Sequence, residues 1–338
     1  MKINAENERI KHKYFDYCSK ANAYSEKTII QMERSINRWD DFTHHLSYKQ
    51  FSERNVLDFK NMLQKDVDEN IIQPGTAKRN LKDLHKFLHW LRLIPGYKSK
   101  IDPLIIDYLE PSRRMNIQEN NYSDKIYPTL QQVKIIWNSI EIETDIDKRD
   151  RVIFSLLILT GIRIEALSTL RLDCFDPAKL TIDQSPQKGV KTKFGKRIKT
   201  TIINFDKELV QNVTDWYNML LEKGYGVHDP LIPGAVSTRQ NGLCFSKSEK
   251  MGKQFIKSGR LRAIIKERCA KVGYNDFTPH SFRHAHLALA SKLAKTAEEF
   301  KAISMNVGHE NIETTFGCYG HLTQSQVENT ISQLNAQI

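Results

Sequence analysis

The stretch that decides the fold is DRVIFSLLILTGIRIEALSTL, residues 150–170. Apolar residues cover nearly every side of a helix from Val152 to Leu159, so the sequence predicts a helix buried within a sizeable core. We expect that helix to end at Gly161 and a new one to begin soon afterwards. Arg163 then lies in a junction at the mouth of a domain, although an arginine near a helix end is also common on protein surfaces.

The segments around this stretch predict a mainly helical domain with a small antiparallel β-sheet. TLQQVKIIWNSI (129–140) has helical spacing ahead of the buried helix. KLTIDQ (179–184) and RIKTTIINF (197–205) alternate β-branched residues on either side of a turn that contains Gly195, which predicts a hairpin. Helical spacing returns in four later segments, 207–222, 251–271, 281–293 and 295–306.

The first part of the chain predicts a separate helical bundle. Ser25 and Ser52 are suitable N-caps for two helices with regularly spaced apolar residues. A third helix is expected to open at Thr76 and to stop before Pro95. Residues 6–20 are expected to form a further basic helix.

A polar stretch bounded by prolines separates the two parts of the chain. Its composition between Pro111 and Pro128 is typical of a linker. A chain of 338 residues also exceeds the usual size of one domain. We therefore expect a helical domain over 1–112, a linker over 113–127 and a second domain over 128–338.

The composition points to a polyanionic partner. The formal net charge is +11 and both parts of the chain are basic, which favours nucleic acid or an acidic membrane surface. The five cysteines are scattered without a CxxC pair, so neither a disulfide framework nor a zinc ribbon fits. The chain begins without a signal-like apolar region, and no stretch reaches the roughly 18 apolar residues of a membrane span. We expect a cytoplasmic protein.

The predicted hairpin turn is strongly basic. KGVKTKFGKRIK (188–199) has six Lys and Arg residues among its twelve positions. A glycine-tipped β-ribbon can lay several ammonium groups along a phosphate backbone, whereas such a loop can also be merely solvated.

TPHSFRHAHLALA (278–290) places three histidines and an arginine at the start of an apolar helical segment. His280 and His284 are four residues apart, a spacing that zinc sites also use. Zinc is disfavoured because Ser281 stands where an HExxH motif has its glutamate, and Arg283 would hold a cation beside the metal. His280 and Arg283 can instead present one donor and one guanidinium to a single oxyanion.

The remaining histidines of this region divide by context. His284 and His286 lie in the apolar start of the helix and are expected to pack there. NVGHENIETTFGCYGHL (306–322) places His309 after a glycine and Tyr319 ten residues later. Taken singly, such a histidine is usually a satisfied hydrogen-bond partner and such a tyrosine a core residue, so the combination carries the signal.

In this combination the chain resembles the tyrosine recombinase family, also called phage integrases. The matching parts are TGIRIEALSTL, the basic hairpin lysine, HSFRH and VGHENIETTFGCY, in that order along about 160 residues. The resemblance implies a mainly α fold with a small antiparallel β-sheet, in which an N-terminal helical core-binding bundle precedes an α+β catalytic domain. It also implies a site-specific DNA recombinase or integrase whose partner is double-stranded DNA.

Carried over motif by motif, the resemblance implies six catalytic residues: Arg163, Lys193, His280, Arg283, His309 and Tyr319. Lys193 is preferred among the hairpin lysines because it lies just before the tip of the turn, and Lys191 is the reserve. The family has an acidic residue three positions after the first arginine, where this chain has Ala166. Glu165 either substitutes for that residue or has another role.

In the reaction that the resemblance implies, Tyr319 attacks a DNA phosphodiester and forms a 3′-phosphotyrosine with a free 5′-hydroxyl. The linkage stores the bond energy, so neither metal nor ATP is needed and no cofactor is expected. Arg163 and Arg283 would grip the non-bridging oxygens. Lys193 would protonate the leaving oxygen, and the surrounding cations would activate a phenol whose ordinary pKa is ~10.

The end of the chain carries an apolar stripe, formed by Val327, Ile331, Leu334 and Ile338. By resemblance this stripe docks on a neighbouring protomer of a tetramer on paired DNA sites, and docking on its own domain is the alternative. Accessory DNA-bending or directionality proteins would be further partners, and the DNA-bound protein would associate with the nucleoid. Two other functions stay open, a nicking topoisomerase of the same chemistry and a non-catalytic DNA-binding accessory protein.

Overall fold

The computed structural model describes residues 3–121, 126–236, 239–240, 244–245, 251–309, 328 and 331–332. The chain divides into two compact units, Met1–Asp124 and Lys125–Ile338. The described residues are mainly helical with small antiparallel sheets, which confirms the predicted fold class. No helix among them is long and apolar enough to cross a membrane.

The N-terminal unit is a helical bundle. Its helices are α1 (Ala5–Lys20), α2 (Glu26–Phe42), α3 (Glu53–Asp68), α4 (Pro74–Leu91), α5 (Pro103–Asp107) and α6 (Arg113–Asn121). The side chains of Ser25 and Ser52 accept hydrogen bonds from backbone N–H groups at the starts of α2 and α3, as predicted. The apolar faces share one core in which Ile36, Phe59 and Leu84 are fully buried.

Helix α4 begins two residues earlier than the sequence predicts. Gln73 is its N-cap and Pro74 its first residue, whereas Thr76 lies inside the first turn. Proline suits the first helical position because its fixed φ is helical and the N–H that it lacks would have no partner there.

The segment 113–127, expected to be a linker, begins with a packed helix. Met115 of α6 is fully buried in the N-terminal core. Gln118 donates a hydrogen bond to Asp68 at 2.9 Å, and Glu119 pairs with Lys78. One buried methionine and a few polar contacts to α3 and α4 are enough to dock a helix whose composition is otherwise that of a linker.

The C-terminal unit is built around one buried helix. Its described helices are α7 (Leu130–Asn138), α8 (Asp145–Thr160), α9 (Ile164–Leu167), α10 (Lys207–Glu222), α11 (Ser258–Ala270), α12 (Pro279–Leu293) and α13 (Ala297–Asn306). Every residue of α8 from Val152 to Leu159 is fully buried, and α8 packs against α7, α10 and α12. Gly161 ends α8 with a left-handed φ of 59°, so the predicted position of the junction is confirmed.

The strands form three small antiparallel sheets among the described residues. They are β1 (Phe175–Asp176), β2 (Thr181–Gln184), β3 (Ile198–Thr201), β4 (Pro233–Ala235), β5 (Arg239–Gln240), β6 (Cys244–Phe245) and β7 (Met251–Phe255). β2 lies between β1 and β3, and the predicted hairpin is the β2–β3 pair with Asp183 opposite Lys199. The prediction of a helix over 251–271 was wrong for its first residues. Residues 251–255 pair with β4 as strand β7, and a distant pairing of this kind leaves no local signal.

Candidate active site

Arg283 connects two chain segments that carry other predicted site residues. Its side chain is buried in α12, where Nη1 donates to the carbonyl oxygen of Gly161 at 2.6 Å and Nη2 to that of Val307 at 2.7 Å. Arg163 lies two residues after Gly161, and His309 lies two residues after Val307. The guanidinium therefore holds the Arg163 and His309 segments next to each other.

The start of α12 places His280 at the surface. Thr278 and Ser281 form a capping box, and Pro279 is the first helical residue, so His280 lies in the first turn with an exposed side chain. Its ring lies against that of His284, with 4.5 Å between centroids and 75° between planes. Arg283 follows one turn later, on the buried side of the same helix.

Arg163 is a half-buried cation at the N-cap of α9. Its guanidinium forms no hydrogen bond or ion pair with the residues that the structure describes, and burial lowers its pKa. This guanidinium is partly desolvated, and no carboxylate among the described residues compensates its charge. Such a group is suited to an anionic ligand that it can grip with two parallel hydrogen bonds.

Glu165 supports α11 rather than Arg163. Its Oε1 accepts hydrogen bonds from Ser258 Oγ at 3.0 Å and from Arg262 Nη2 at 2.9 Å. Ala166, at the family's acidic position, is buried and carries no charge. Of the two alternatives that the sequence left open, the structure therefore favours another role for Glu165.

The charges of four of the other predicted site residues act on His309. Its pKa is lowered to about 4, first by burial and then by the charges of Arg283, Arg163, His280 and Lys193. Four groups from three distant parts of the chain thus act on one imidazole. An arrangement of cations that disfavours a proton on His309 favours an anion such as a phosphate between them.

Lys193 lies on the connection between β2 and β3. It begins a short 3-10 turn, Lys193–Gly195, in which Phe194 adopts a left-handed φ of 61°. The ammonium lies 4.9 Å from the centroid of the Phe194 ring, and the lysine is exposed. Its charge nonetheless contributes to the lowered pKa of His309, so the two side chains are near enough to interact electrostatically.

Two other hairpin lysines have structural contacts. Lys188 Nζ donates to the carbonyl oxygen of Asp173 at 2.6 Å, which ties the start of the connection to the segment before β1. The backbone N–H of Lys191 donates to Thr169 Oγ1 at 2.9 Å. These contacts anchor the base of the connection, while the tip carries Lys193.

Asn306 and Gly308 position the site through contacts with β3 that the sequence alone does not predict. Asn306, at the end of α13, accepts a hydrogen bond from Thr201 N at 2.7 Å and donates one to Thr201 O at 2.9 Å. Gly308 has a φ of 73°, and a Cβ there would collide with the side chain of Ile198. Strand β3, which follows Lys193, is thereby fixed against the turn before His309. An asparagine at a helix end has no chemical signature until that strand lies beside it.

His286 packs beneath the α8 junction, as predicted. It is fully buried, its Nδ1 lies 2.8 Å from the carbonyl oxygen of Ile158, and its pKa is lowered to about 4 chiefly by burial. A Cβ on Gly161 would lie 2.8 Å from its Cδ2. The histidine therefore supports the turn whose carbonyl accepts the hydrogen bond from Arg283.

Tyr319 lies outside the described residues, as do Val327, Leu334 and Ile338 of the C-terminal stripe. Ile331 is described, and its side chain is 52% exposed.

Comparison with known families and proteins identifies the chain. A family model described as the phage integrase family matches residues 129–326, which include the whole predicted site. The chain belongs to the phage integrase family. The expectation drawn from the arginine, histidine and tyrosine motifs is therefore confirmed at the level of the family.

Curated relatives of this chain are named tyrosine recombinases. The tyrosine recombinase XerC of Staphylococcus epidermidis is 23% identical, over 88% of this chain and 92% of its own. The tyrosine recombinase XerD of Staphylococcus aureus is also 23% identical, over 97% of this chain and 99% of its own. Their names support a site-specific recombinase.

Solved structures share the fold. The XerH site-specific recombinase bound to its palindromic difH substrate matches 95% of this chain and 84% of its own chain, with a TM-score of 0.65 and 15% identity. The Tn1549 transposon integrase in complex with transposon right-end DNA covers 97% and 98%, with a TM-score of 0.64 and 14% identity. Lambda integrase bound to DNA covers 94% and 97%, with a TM-score of 0.62 and 14% identity.

Proposed function

We propose that this integrase is a site-specific recombinase that cleaves and rejoins DNA strands through a 3′-phosphotyrosine at Tyr319, without metal or ATP. The observation that carries the proposal is the convergence of the charges of Arg283, Arg163, His280 and Lys193 on His309. Phosphoryl transfer needs this kind of environment, because negative charge grows on the non-bridging oxygens in the transition state.

The two arginines differ in how they are held, and the difference suits two roles. Arg283 is buried and fixed by two backbone carbonyls, so its guanidinium meets a phosphate in a preset orientation. Arg163 is half-buried without an ion pair among the described residues, so the phosphate would be its partner. By analogy with an oxyanion donor, removing either group is expected to cost about 10²- to 10³-fold in cleavage rate.

Lys193 is the proposed general acid. An exposed ammonium at the tip of the β2–β3 connection can approach the leaving 5′-oxygen and protonate it, a contribution of about 10²- to 10⁴-fold. His309 has a pKa of about 4 and is therefore neutral near pH 7, so it can hydrogen-bond the phosphate or the attacking phenol without adding a charge. His280 adds a further donor at the mouth of the site.

The names of related structures support DNA as the partner. The Tn1549 integrase is described as in complex with transposon right-end DNA, lambda integrase as bound to DNA, and XerH as bound to its palindromic difH substrate. We propose that this integrase also binds paired DNA sites as a tetramer, with the stripe of Val327, Ile331, Leu334 and Ile338 docked on a neighbouring protomer. Accessory DNA-bending or directionality proteins would then bias the direction of exchange.

The test is covalent capture of DNA. The purified protein is incubated with genomic DNA fragments and denatured, and the DNA that stays attached is quantified and sequenced. Wild-type protein is expected to retain DNA of a defined sequence, and Tyr319→Phe is expected to retain none while its binding to the same fragments persists. Tyr274→Phe is the matched control, since Tyr274 packs on Phe277 within the same unit.

Three results would decide against the proposal. Adducts formed by Tyr319→Phe would show that another residue is the nucleophile. Complete absence of adducts with wild-type protein, on fragments that it binds, would favour a non-catalytic DNA-binding protein. Relaxation of supercoiled DNA without recombination junctions would identify a nicking topoisomerase instead.

A further inference from the structure

Two histidines and an aspartate lie together in the N-terminal unit. His85 and His89 are four residues apart in α4, so their rings lie on one face of the helix, with 4.4 Å between ring centroids. Asp107 is the last residue of α5. One potential ligand atom from each of the three side chains lies within 4.8 Å of the other two. Among the residues that the structure describes, these form the one such group.

A fourth candidate ligand lies next to the group. Glu110 Oε1 lies 3.8 Å from His85 Nε2. His85 is partly exposed, and His89, Asp107 and Glu110 are exposed, so the side chains can rotate without disturbing the core. The set of two imidazoles and two carboxylates carries a charge of about −2 when the histidines are neutral, which attracts a divalent cation.

The neutral imidazole is the form that binds a metal. Of the nearby cations, Arg92 donates to the carbonyl oxygen of Ile101 at 3.0 Å, and Lys60 donates to that of Tyr108 at 2.9 Å.

We propose that His85, His89 and Asp107, with Glu110 as the fourth ligand, form a binding site for a divalent transition metal of the zinc class. Imidazole nitrogen and carboxylate oxygen are ligands that Zn²⁺ accepts, and a helical H-x₃-H pair falls within its usual ligand spacing. Mg²⁺ and Ca²⁺ prefer all-oxygen sites, so they fit this group less well.

The geometry can close around the metal by side-chain rotation. Tetrahedral ligands with metal bonds of ~2.1 Å lie about 3.4 Å apart. The present ligand atoms lie within 4.8 Å of one another, so each needs to move by no more than about an ångström. Bound metal would fasten α5, a helix of five residues that is too short to be stable alone, to the end of α4. This site belongs to the N-terminal unit and plays no part in the proposed strand cleavage.

The test is calorimetric titration of the full-length protein with Zn²⁺, followed by visible spectroscopy with Co²⁺. We expect zinc binding at this site, a Co²⁺ spectrum of tetrahedral type, and a melting temperature that rises with zinc. Because even the outer-shell partners of metal ligands contribute 10- to 100-fold, His85→Ala and His89→Ala should each weaken zinc binding by more than about 10-fold. Asp107→Asn should weaken it as well, and this variant should fold normally because Asp107 is exposed.

His12→Ala is the matched control, because His12 is an exposed histidine on α1 outside the group. It should leave the zinc affinity and the zinc-dependent rise in melting temperature unchanged. Absence of zinc binding to the wild-type protein would overturn the proposal. So would zinc binding that survives the double substitution His85→Ala and His89→Ala, because the metal would then lie elsewhere.

Discussion

Replacing Gly161 with alanine should destabilise the C-terminal unit by more than backbone strain alone. Gly161 has a left-handed φ of 59°, which costs a residue with a Cβ about 1–2 kcal/mol. The new methyl group would also lie 2.8 Å from His286 Cδ2 and 3.3 Å from Val307 Cγ1. Overpacking of this kind costs about 1–3 kcal/mol, so the expected total is about 2–5 kcal/mol.

The matched control separates strain from overpacking. Gly273 has a φ of 83°, and a Cβ there would meet nothing within 4 Å, so Gly273→Ala should cost about 1–2 kcal/mol. Hydrogen exchange of the α8 backbone amides reports the unfolding free energy of this unit. The two variants should differ by about 1–3 kcal/mol. Equal costs would refute the argument that His286 and Val307 pack tightly beneath the junction.

Further predictions concern the site and its supports. Arg163→Ala should lose cleavage while the free energy of unfolding stays the same or rises, because the half-buried guanidinium has no ion pair among the described residues; adduct assays and urea unfolding check both quantities. Arg283→Ala should lose cleavage and should also lower the free energy of unfolding, because two buried carbonyls lose their hydrogen-bond donor. Each unsatisfied carbonyl should cost about 1–3 kcal/mol, as measured by urea unfolding. Asn306→Ala should slow adduct formation at saturating DNA by about 10²-fold by letting β3 shift, with DNA affinity unchanged. Between pH 6.5 and about 4, the unfolded chain binds a proton that buried His286 does not, so the free energy of unfolding should decrease as the pH is lowered. His286→Asn should reduce the total decrease over this range by up to about 3 kcal/mol, as measured by urea unfolding at several pH values.

The elements that the sequence predicts well are those with local signals. Helix α8 is apolar on nearly every side over Val152–Leu159 and has a glycine at its end. The predicted span 207–222 coincides with α10, which Asp206 caps. Periodicity and caps act over a few residues, so they can be recognised without the rest of the fold.

The elements that it misses depend on distant partners. Strand β7 forms because β4 lies beside it, and α6 packs because Met115 finds the core of the N-terminal unit. The apolar spacing of 251–271 and the polarity of 113–127 carry no information about either neighbour. Long-range packing therefore determines the conformation of both segments.

The site shows the same division. The motifs pick out Arg163, His280, Arg283 and His309, because each belongs to a short pattern that the family shares. The sequence does not define the role of Glu165, because its partners Ser258 and Arg262 lie far along the chain. Positioning contacts of this kind follow from the tertiary fold and could not be predicted from spacing.

The most direct test of the proposed mechanism is to map the covalent adduct. DNA trapped on the wild-type protein is trimmed with nuclease, and the linked peptide is sequenced by mass spectrometry. The mechanism predicts one modified residue, Tyr319, joined to a 3′-phosphate, with a free 5′-hydroxyl on the other DNA end. Linkage to another residue, or to a 5′-phosphate, would contradict it.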